Sequence, residues 1–182
     1  MAAPTAGVPA RRRHSTASTA PVPRTRLRVH VRRNCKGLAK SKQAKLWLQF
    51  AALPMTQVGG ELRVLLVTSR ETHRWVLPKG WAETGLTPPE LAAKEAFEEA
   101  GAVGAMAANP TGTYRYRKRL KAGRRVTCLV GVFAMHVDQL LEEWPEAGER
   151  ERRWFSPAEA AGLVQEEGLA ALLRGLPNTT GI

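Results

Sequence analysis

Apolar and polar positions alternate or cluster along the chain in a way that predicts most of its elements. Residues 46–53 and 62–68 are two apolar runs separated by Gly59-Gly60, and they read as a buried hairpin. Residues 75–77 make a short strand that Pro78 stops, and 79–85 read as a glycine-containing loop. Residues 112–119 and 126–137, joined by a turn at Ala122-Gly123, form a second strand pair, and Trp154-Phe155 a last short strand. Thr87-Pro88-Pro89-Glu90 supplies a hydroxyl cap, a proline at the first helical position and a carboxylate three residues after the cap. It predicts a helix over 88–100, ended by Gly101. Ser156-Pro157-Ala158-Glu159 repeats that start signal, and a further helix runs from near Glu166 to Gly175. Strands, a helix, strands and helices in that order predict an α/β or α+β domain: a mixed central sheet with helices on its faces, in α/β/α layers.

The segment before Leu46 is different. Residues 1–26 hold almost no large apolar side chain and cannot bury enough surface to offset chain entropy, so they are expected to be disordered. Residues 27–31 alternate Leu, Arg, Val, His, Val, the pattern of a short strand, before a basic stretch to Lys45. The expected organisation is a basic tail over 1–45 and one domain over 46–182.

Charge sharpens that division. The chain holds 28 Lys and Arg against 16 Asp and Glu, a formal charge of +12, which as an average points to nucleic acid. Twelve of the basic residues and none of the acidic ones fall in 1–45, so 46–182 carries sixteen of each sign and no net charge. The tail suits a nucleic-acid or membrane-surface arm, an organelle transit peptide in a eukaryotic source, or an extension without a role. No apolar run approaches the roughly 20 residues of a bilayer span; the longest, 46–55, is interrupted by Gln49 and Pro54. Two cysteines, Cys35 and Cys128, give neither a disulfide framework nor metal-ligand spacing, and the expected compartment is reducing and cytoplasmic unless the tail targets an organelle.

On the helix over 88–100, Glu95, Glu98 and Glu99 stand at i, i+3 and i+4 and share one face, with Ala93, Ala96, Phe97 and Ala100 on the other. Three carboxylates on one face repel, and Lys94 relieves this only in part. Such a face is either well solvated or bound to a hard cation such as Mg²⁺, which takes oxygen ligands and bridges carboxylates to phosphates.

Residues 80–102 resemble the Nudix box, in which Gly is followed after five residues by Glu, after seven more by Arg-Glu, then an aliphatic residue, any residue, Glu-Glu, any residue, Gly and an aliphatic residue. Gly80, Glu95, Glu98, Glu99 and Gly101 fall at that spacing, with Ala96 and Ala102 at the aliphatic places. Leu86 stands where the family has its first Glu and Lys94 where it has Arg. The first departure is expected to remove a structural salt bridge. The second keeps the charge and loses the planar fork of arginine. Residues 64–70, 74–80 and 151–155 look like the branch of diphosphoinositol polyphosphate and diadenosine polyphosphate phosphohydrolases, a likeness that covers about 46–175.

The resemblance implies a hydrolase that cleaves a diphosphate linkage by water attack on phosphorus with Mg²⁺ or Mn²⁺. By position, Glu95 and Glu99 would hold metal with the Gly80 carbonyl, and Glu98 would deprotonate or orient the water. A second candidate base lies in the acidic loop of Glu142, Glu143, Glu146, Glu149 and Glu151, Glu149 and Glu151 foremost; a solvated loop is the alternative. Arg70 and Lys79 are the first choices for phosphate contact, followed by Arg124 and Arg125. Arg115, Arg117 and Arg119 share one face of their strand, and Tyr114, Tyr116 and Lys118 the other. Trp75 and Trp81 flank the box loop and are candidates for stacking on a base, with Trp75 expected in the core. The expected partner is a small polyphosphate, a dinucleotide or a diphosphoinositol alike. The rival readings are a nucleotide-binding module without turnover and an RNA 5′-end hydrolase that uses the basic tail.

Overall fold

The computed structural model describes residues 46–120 and 123–177. The expectations for the tail and for Ala122 lie outside those residues.

Two long strands organise the sheet. β1 (Leu46–Val58) and β7 (Arg125–Leu140) run parallel, in register from Leu46↔Thr127 to Met55↔His136. Each serves a different neighbour at each end. β1 pairs antiparallel with β4 (Lys79–Trp81) at Gln49, Phe50 and Ala51, and with β2 (Glu61–Thr68) from Met55 onward. β7 holds β6 (Gly112–Arg119) along its first half and β5 (Ala102–Met106) along its second. β3 (Trp75–Val76) and β8 (Arg152–Phe155) both pair with β2, completing an eight-stranded mixed sheet.

Consecutive residues of these strands feed two cores. Leu65 and Val67 join Ala52, Phe133 and Met135 under α1 (Pro88–Ala100), which contributes Ala92, Ala96 and Ala100. Val64 and Leu66 join Leu53, Val130 and Val132 under α2 (Pro157–Leu163) and α3 (Glu167–Arg174), through Ala160, Leu169 and Leu173. A strand buried on both faces reads as a continuous apolar run, which is the pattern of β2. The α/β/α layering is as expected.

Four details differ from the expectations. β1 continues through Pro54, which lies between its last β4 partner, Ala51, and its first β2 partner, Met55, so the missing N–H falls where the ladder changes hands. Lys79–Trp81 is a strand rather than loop, because its backbone completes the free edge of β1. β5 follows α1 without any two-residue alternation to announce it. It needs Gly104 at a register shift, where a Cβ would overlap the His136 carbonyl. Finally, the inward side of α1 is Leu91, Ala92, Ala96, Glu99 and Ala100, while Phe97 is exposed. The expected apolar and acidic faces are therefore rotated, and one carboxylate goes in.

Candidate active site

α1 is held at both ends. Thr87 N–H donates to Glu90 Oε2 at 2.7 Å in a capping box, and Gly101, at φ 60°, donates its N–H to the carbonyls of Ala96 and Phe97. Arg152 adds a staple from β8, donating to the carbonyls of Ala100 and Leu141 at 2.6 Å each. The glutamates of the last turns thus project from a fixed frame.

Glu95 lies against β4 at Gly80, where a Cβ would overlap its carboxylate, so this pairing of helix and strand requires glycine. Burial, reinforced by the charges of Glu99 and Glu98, pushes the Glu95 pKa up to about 7. Glu99 is buried; its Oε2 accepts the Lys79 backbone N–H at 3.1 Å and its Oε1 accepts Arg150 Nη2. Its pKa is nonetheless raised, because burial outweighs the cations of Lys79 and Arg150. Glu98 is 39% exposed and 3.8 Å from Lys94 Nζ.

Lys94 is not left unpaired by the leucine at position 86. Its Nζ donates to both oxygens of Glu83, at 2.9 and 3.2 Å, an ion pair from the box loop to the helix. Leu86 itself is exposed.

The acidic loop closes over this face. Glu146 N–H donates to the Glu98 carbonyl at 3.1 Å, and the buried Arg150 guanidinium bridges Glu146, Glu99 and the Thr68 carbonyl, the last at 2.8 Å. Arg70 stands 3.4 Å from both Glu146 and Glu149, and its pKa is raised, chiefly by Glu146. Of the loop acids, Glu146 therefore enters the site. Glu149 reaches its rim through Arg70, and Glu151 contributes backbone, its N–H donating to Thr68 Oγ1 at 2.9 Å.

Glu95, Glu98, Glu99, Lys94, Arg70, Glu146 and Arg150 open on one cleft of about 830 Å³, which Glu149 and Glu151 do not line. Glu95, Glu98, Glu99 and Gly80 line it, as do Arg70, Lys79 and Arg125. Arg117, Lys118 and Arg119 of β6 extend the basic wall, with Lys118 Nζ 4.6 Å from the Trp81 ring centroid. Arg124 is not on that wall; its guanidinium lies 5.9 Å from the Trp47 ring centroid. Trp75 packs edge-on against Phe155 at 5.0 Å, as expected for a core residue, and Trp81 packs against Trp47 at 5.7 Å. Lys79 is closely surrounded: burial lowers its pKa against the pull of Glu99.

Three residues of the cleft escaped the sequence reading as site groups. Arg150 sits in the run Glu-Arg-Glu-Arg-Arg, where charge pattern alone does not separate one arginine from the next. Buried Gln49 accepts the Tyr116 hydroxyl at 2.6 Å, and buried Glu166 lines the same cleft from the start of α3. A polar residue in an apolar run, as Gln49 is, was the one available signal.

Hard oxygen donors that repel one another are the chemistry a divalent cation fits; the Glu95 pKa is raised first by burial and then by the charges of Glu99 and Glu98. Among the described residues no three such side chains already converge on one point, because Glu99 is drawn to Arg150 and Glu98 toward Lys94. The chemistry of the donor set fits the cation.

A model of the NUDIX domain family matches residues 45–174. The chain belongs to the Nudix family. This Nudix domain is 36% identical over 118 residues to Nudix hydrolase 13, mitochondrial, of Arabidopsis thaliana, covering 62% of this chain and 58% of that one. It is 32% identical over 108 residues to diphosphoinositol polyphosphate phosphohydrolase 3-alpha of Mus musculus, covering 58% of this chain and 62% of that one. The chain thus spans about three fifths of the length of these curated relatives. Among solved structures, the Ap4A hydrolase of C. elegans superposes with a TM-score of 0.53 at 16% identity, over 71% of this chain and 95% of that one, which supports the fold. Among the described residues no helix is long and apolar enough to cross a membrane.

Proposed function

We propose that residues 46–175 form a divalent-cation-dependent hydrolase that cleaves a phosphoanhydride bond in a nucleoside polyphosphate or diphosphoinositol-type substrate by attack of water on phosphorus. The observation that carries this reading is the juxtaposition, in one cleft, of the α1 carboxylates with Arg70, Lys79, Arg117 and Arg125. A polyphosphate needs both: cations along its length, and carboxylates at the bond to be broken.

Glu95, Glu99 and the Gly80 carbonyl would hold Mg²⁺ or Mn²⁺. The bound cation would supply charge neutralisation at the reacting phosphate. Glu98, the most open of the three carboxylates, is the one free to take a proton from water arriving from the cleft. Arg70 and Lys79 hold the phosphates on the side of the acidic loop, and Arg125 holds those toward β6. The water oxygen joins phosphorus, the bridging P–O bond breaks, and the leaving phosphate departs against the basic wall. Arg150 keeps Glu99 and Glu146 from repelling each other and so holds the loop in place. The murine relative is a phosphohydrolase of diphosphoinositol polyphosphates, and the nematode structure an Ap4A hydrolase. Both names fit a substrate with a run of phosphates, and the cleft offers several cations to such a run. The cytoplasm is the proposed compartment.

The test is a panel of diadenosine polyphosphates, nucleoside triphosphates and diphosphoinositol polyphosphates with and without Mg²⁺, products identified by mass. Cation-dependent release of a phosphorylated product is expected. Tight binding with no product under Mg²⁺ or Mn²⁺ would make the domain a nucleotide-binding module instead.

A further inference from the structure

The mechanism uses the carboxylates of α1 and the cations of the cleft, and leaves one buried carboxylate of the same cleft unexplained. Glu166 has a side chain only 7% exposed. It occupies the N-cap position of α3, yet its side chain caps no helix N–H. The ordinary structural reason for a polar residue there is therefore missing. One oxygen, Oε1, lies 3.5 Å from Arg74 Nη1. The other, Oε2, is closed to solvent and has no hydrogen-bond partner among the described residues. A buried acceptor left empty is costly, and such groups are few in native proteins.

The surroundings explain what would fill it. No ion pair within 4 Å joins Glu166 to a cation other than Arg74 among the described residues, although Lys79 and Tyr116 share the cleft floor with it. The Tyr116 hydroxyl is spent on Gln49 and Lys79 Nζ points to the Leu77 carbonyl, 3.4 Å away. Arg74 is held from the side by Gln165 Oε1 at 2.9 Å and Thr72 Oγ1 at 3.1 Å, so it is braced at the edge rather than folded over the carboxylate. The last torsion of a glutamate is soft, and turning it offers either oxygen to the cleft while Arg74 keeps the other. An acceptor-only group at this place accepts an N–H or O–H and repels a phosphate.

We infer that Glu166 forms a subsite for an uncharged hydrogen-bond donor on the organic part of the substrate, and that this end of the cleft excludes phosphate. The inference rests on reading the cleft as a diphosphate hydrolase site, and it adds a polarity to it. Phosphates lie against Arg70, Lys79 and Arg125; the base or sugar lies against Glu166. A substrate consisting only of phosphate satisfies the first set and leaves the second empty. Two sources supply such a donor, the amino group of a nucleobase and a ring hydroxyl, and they are separable by deletion.

The experiment is calorimetric binding of ADP, IDP, 2′,3′-dideoxy-ADP and inorganic pyrophosphate to the full chain and to its Glu166→Gln variant, with Mg²⁺ present. IDP lacks the amino group and the dideoxy compound lacks the sugar hydroxyls. In the native chain ADP binds more tightly than pyrophosphate, and one of the two deletions weakens binding about tenfold or more, the size of a hydrogen bond to a charged group. IDP weakened identifies the base amino group; the dideoxy compound weakened identifies the sugar. In Glu166→Gln that penalty falls below threefold while pyrophosphate binds at least as well as before. Equal binding of all four ligands, or a penalty that survives intact in Glu166→Gln, overturns the inference. Turnover of the panel above without this selectivity removes the subsite and keeps the hydrolase; selectivity without turnover does the reverse.

Discussion

α1 and α2 begin alike and serve alike, and they differ in what they carry. Thr87-Pro88-Pro89-Glu90 and Ser156-Pro157-Ala158-Glu159 form the same capping box, and each helix covers one face of the sheet. α2 buries Pro157, Ala160 and Ala161, all apolar. α1 buries alanines and also Glu99, with Glu95 partly enclosed beside it and Glu98 at the opening. A helix that only has to cover a sheet has no use for an inward carboxylate such as Glu99, whose pKa is raised by burial and which Arg150 and the Lys79 N–H hold in place. The difference between the helices separates what the fold needs from what the site needs.

Substitutions that pit one helix against the other sharpen this. The largest effect belongs to Glu98→Gln, which is expected to lower turnover about 10²–10⁴-fold with Mg²⁺ present, the range of a general base. A carboxylate of the other helix, changed in Glu159→Gln, is outside the cleft and its loss leaves turnover unchanged. Next comes Arg150→Met, which strips the counterion from Glu99 and Glu146; urea unfolding should show a loss of about 3 kcal/mol, with no equivalent residue under α2 to lose.

Glu95→Gln tests the repulsion itself. The folded carboxyl holds its proton up to about pH 7, whereas the ordinary value is 4.5. Between those values the folded state binds more protons than the unfolded one, so stability falls as pH rises through this window and the full penalty is present above it. In metal-free buffer Glu95→Gln should therefore be more stable than the native chain at pH 8, by on the order of 1 kcal/mol after solvent screening. The two should be indistinguishable near pH 4.5. The smallest contrast is between Thr87→Ala and Ser156→Ala, each expected to lower stability by about 1 kcal/mol in thermal melts. Equal losses show that the caps are interchangeable and that only the cargo of α1 is special.

Much of this was legible before any coordinates. The caps gave both helix starts, the apolar runs gave β2 and β7, and the i, i+3, i+4 spacing put Glu95, Glu98 and Glu99 near one another on α1, though not that Glu99 turns inward. What stayed hidden depends on partners distant in sequence. Lys79–Trp81 is a strand only because β1 lies beside it, and β1 passes Pro54 only because its neighbour changes there. Glu83 pairs with Lys94 because the loop brings it there, a matter of loop path and not of spacing. Arg150, Gln49 and Glu166 come from three separate segments, and no local pattern announces that they meet one cleft.

The central claim is that the α1 carboxylates and the basic wall act on one diphosphate linkage. Its most direct test is turnover of a diadenosine polyphosphate and a diphosphoinositol polyphosphate in ¹⁸O-labelled water, with the cation added and then chelated. One ¹⁸O atom incorporated into a phosphoryl product, only while Mg²⁺ or Mn²⁺ is present, is the predicted result. Turnover that persists after chelation, or no labelled product from either substrate, would contradict it.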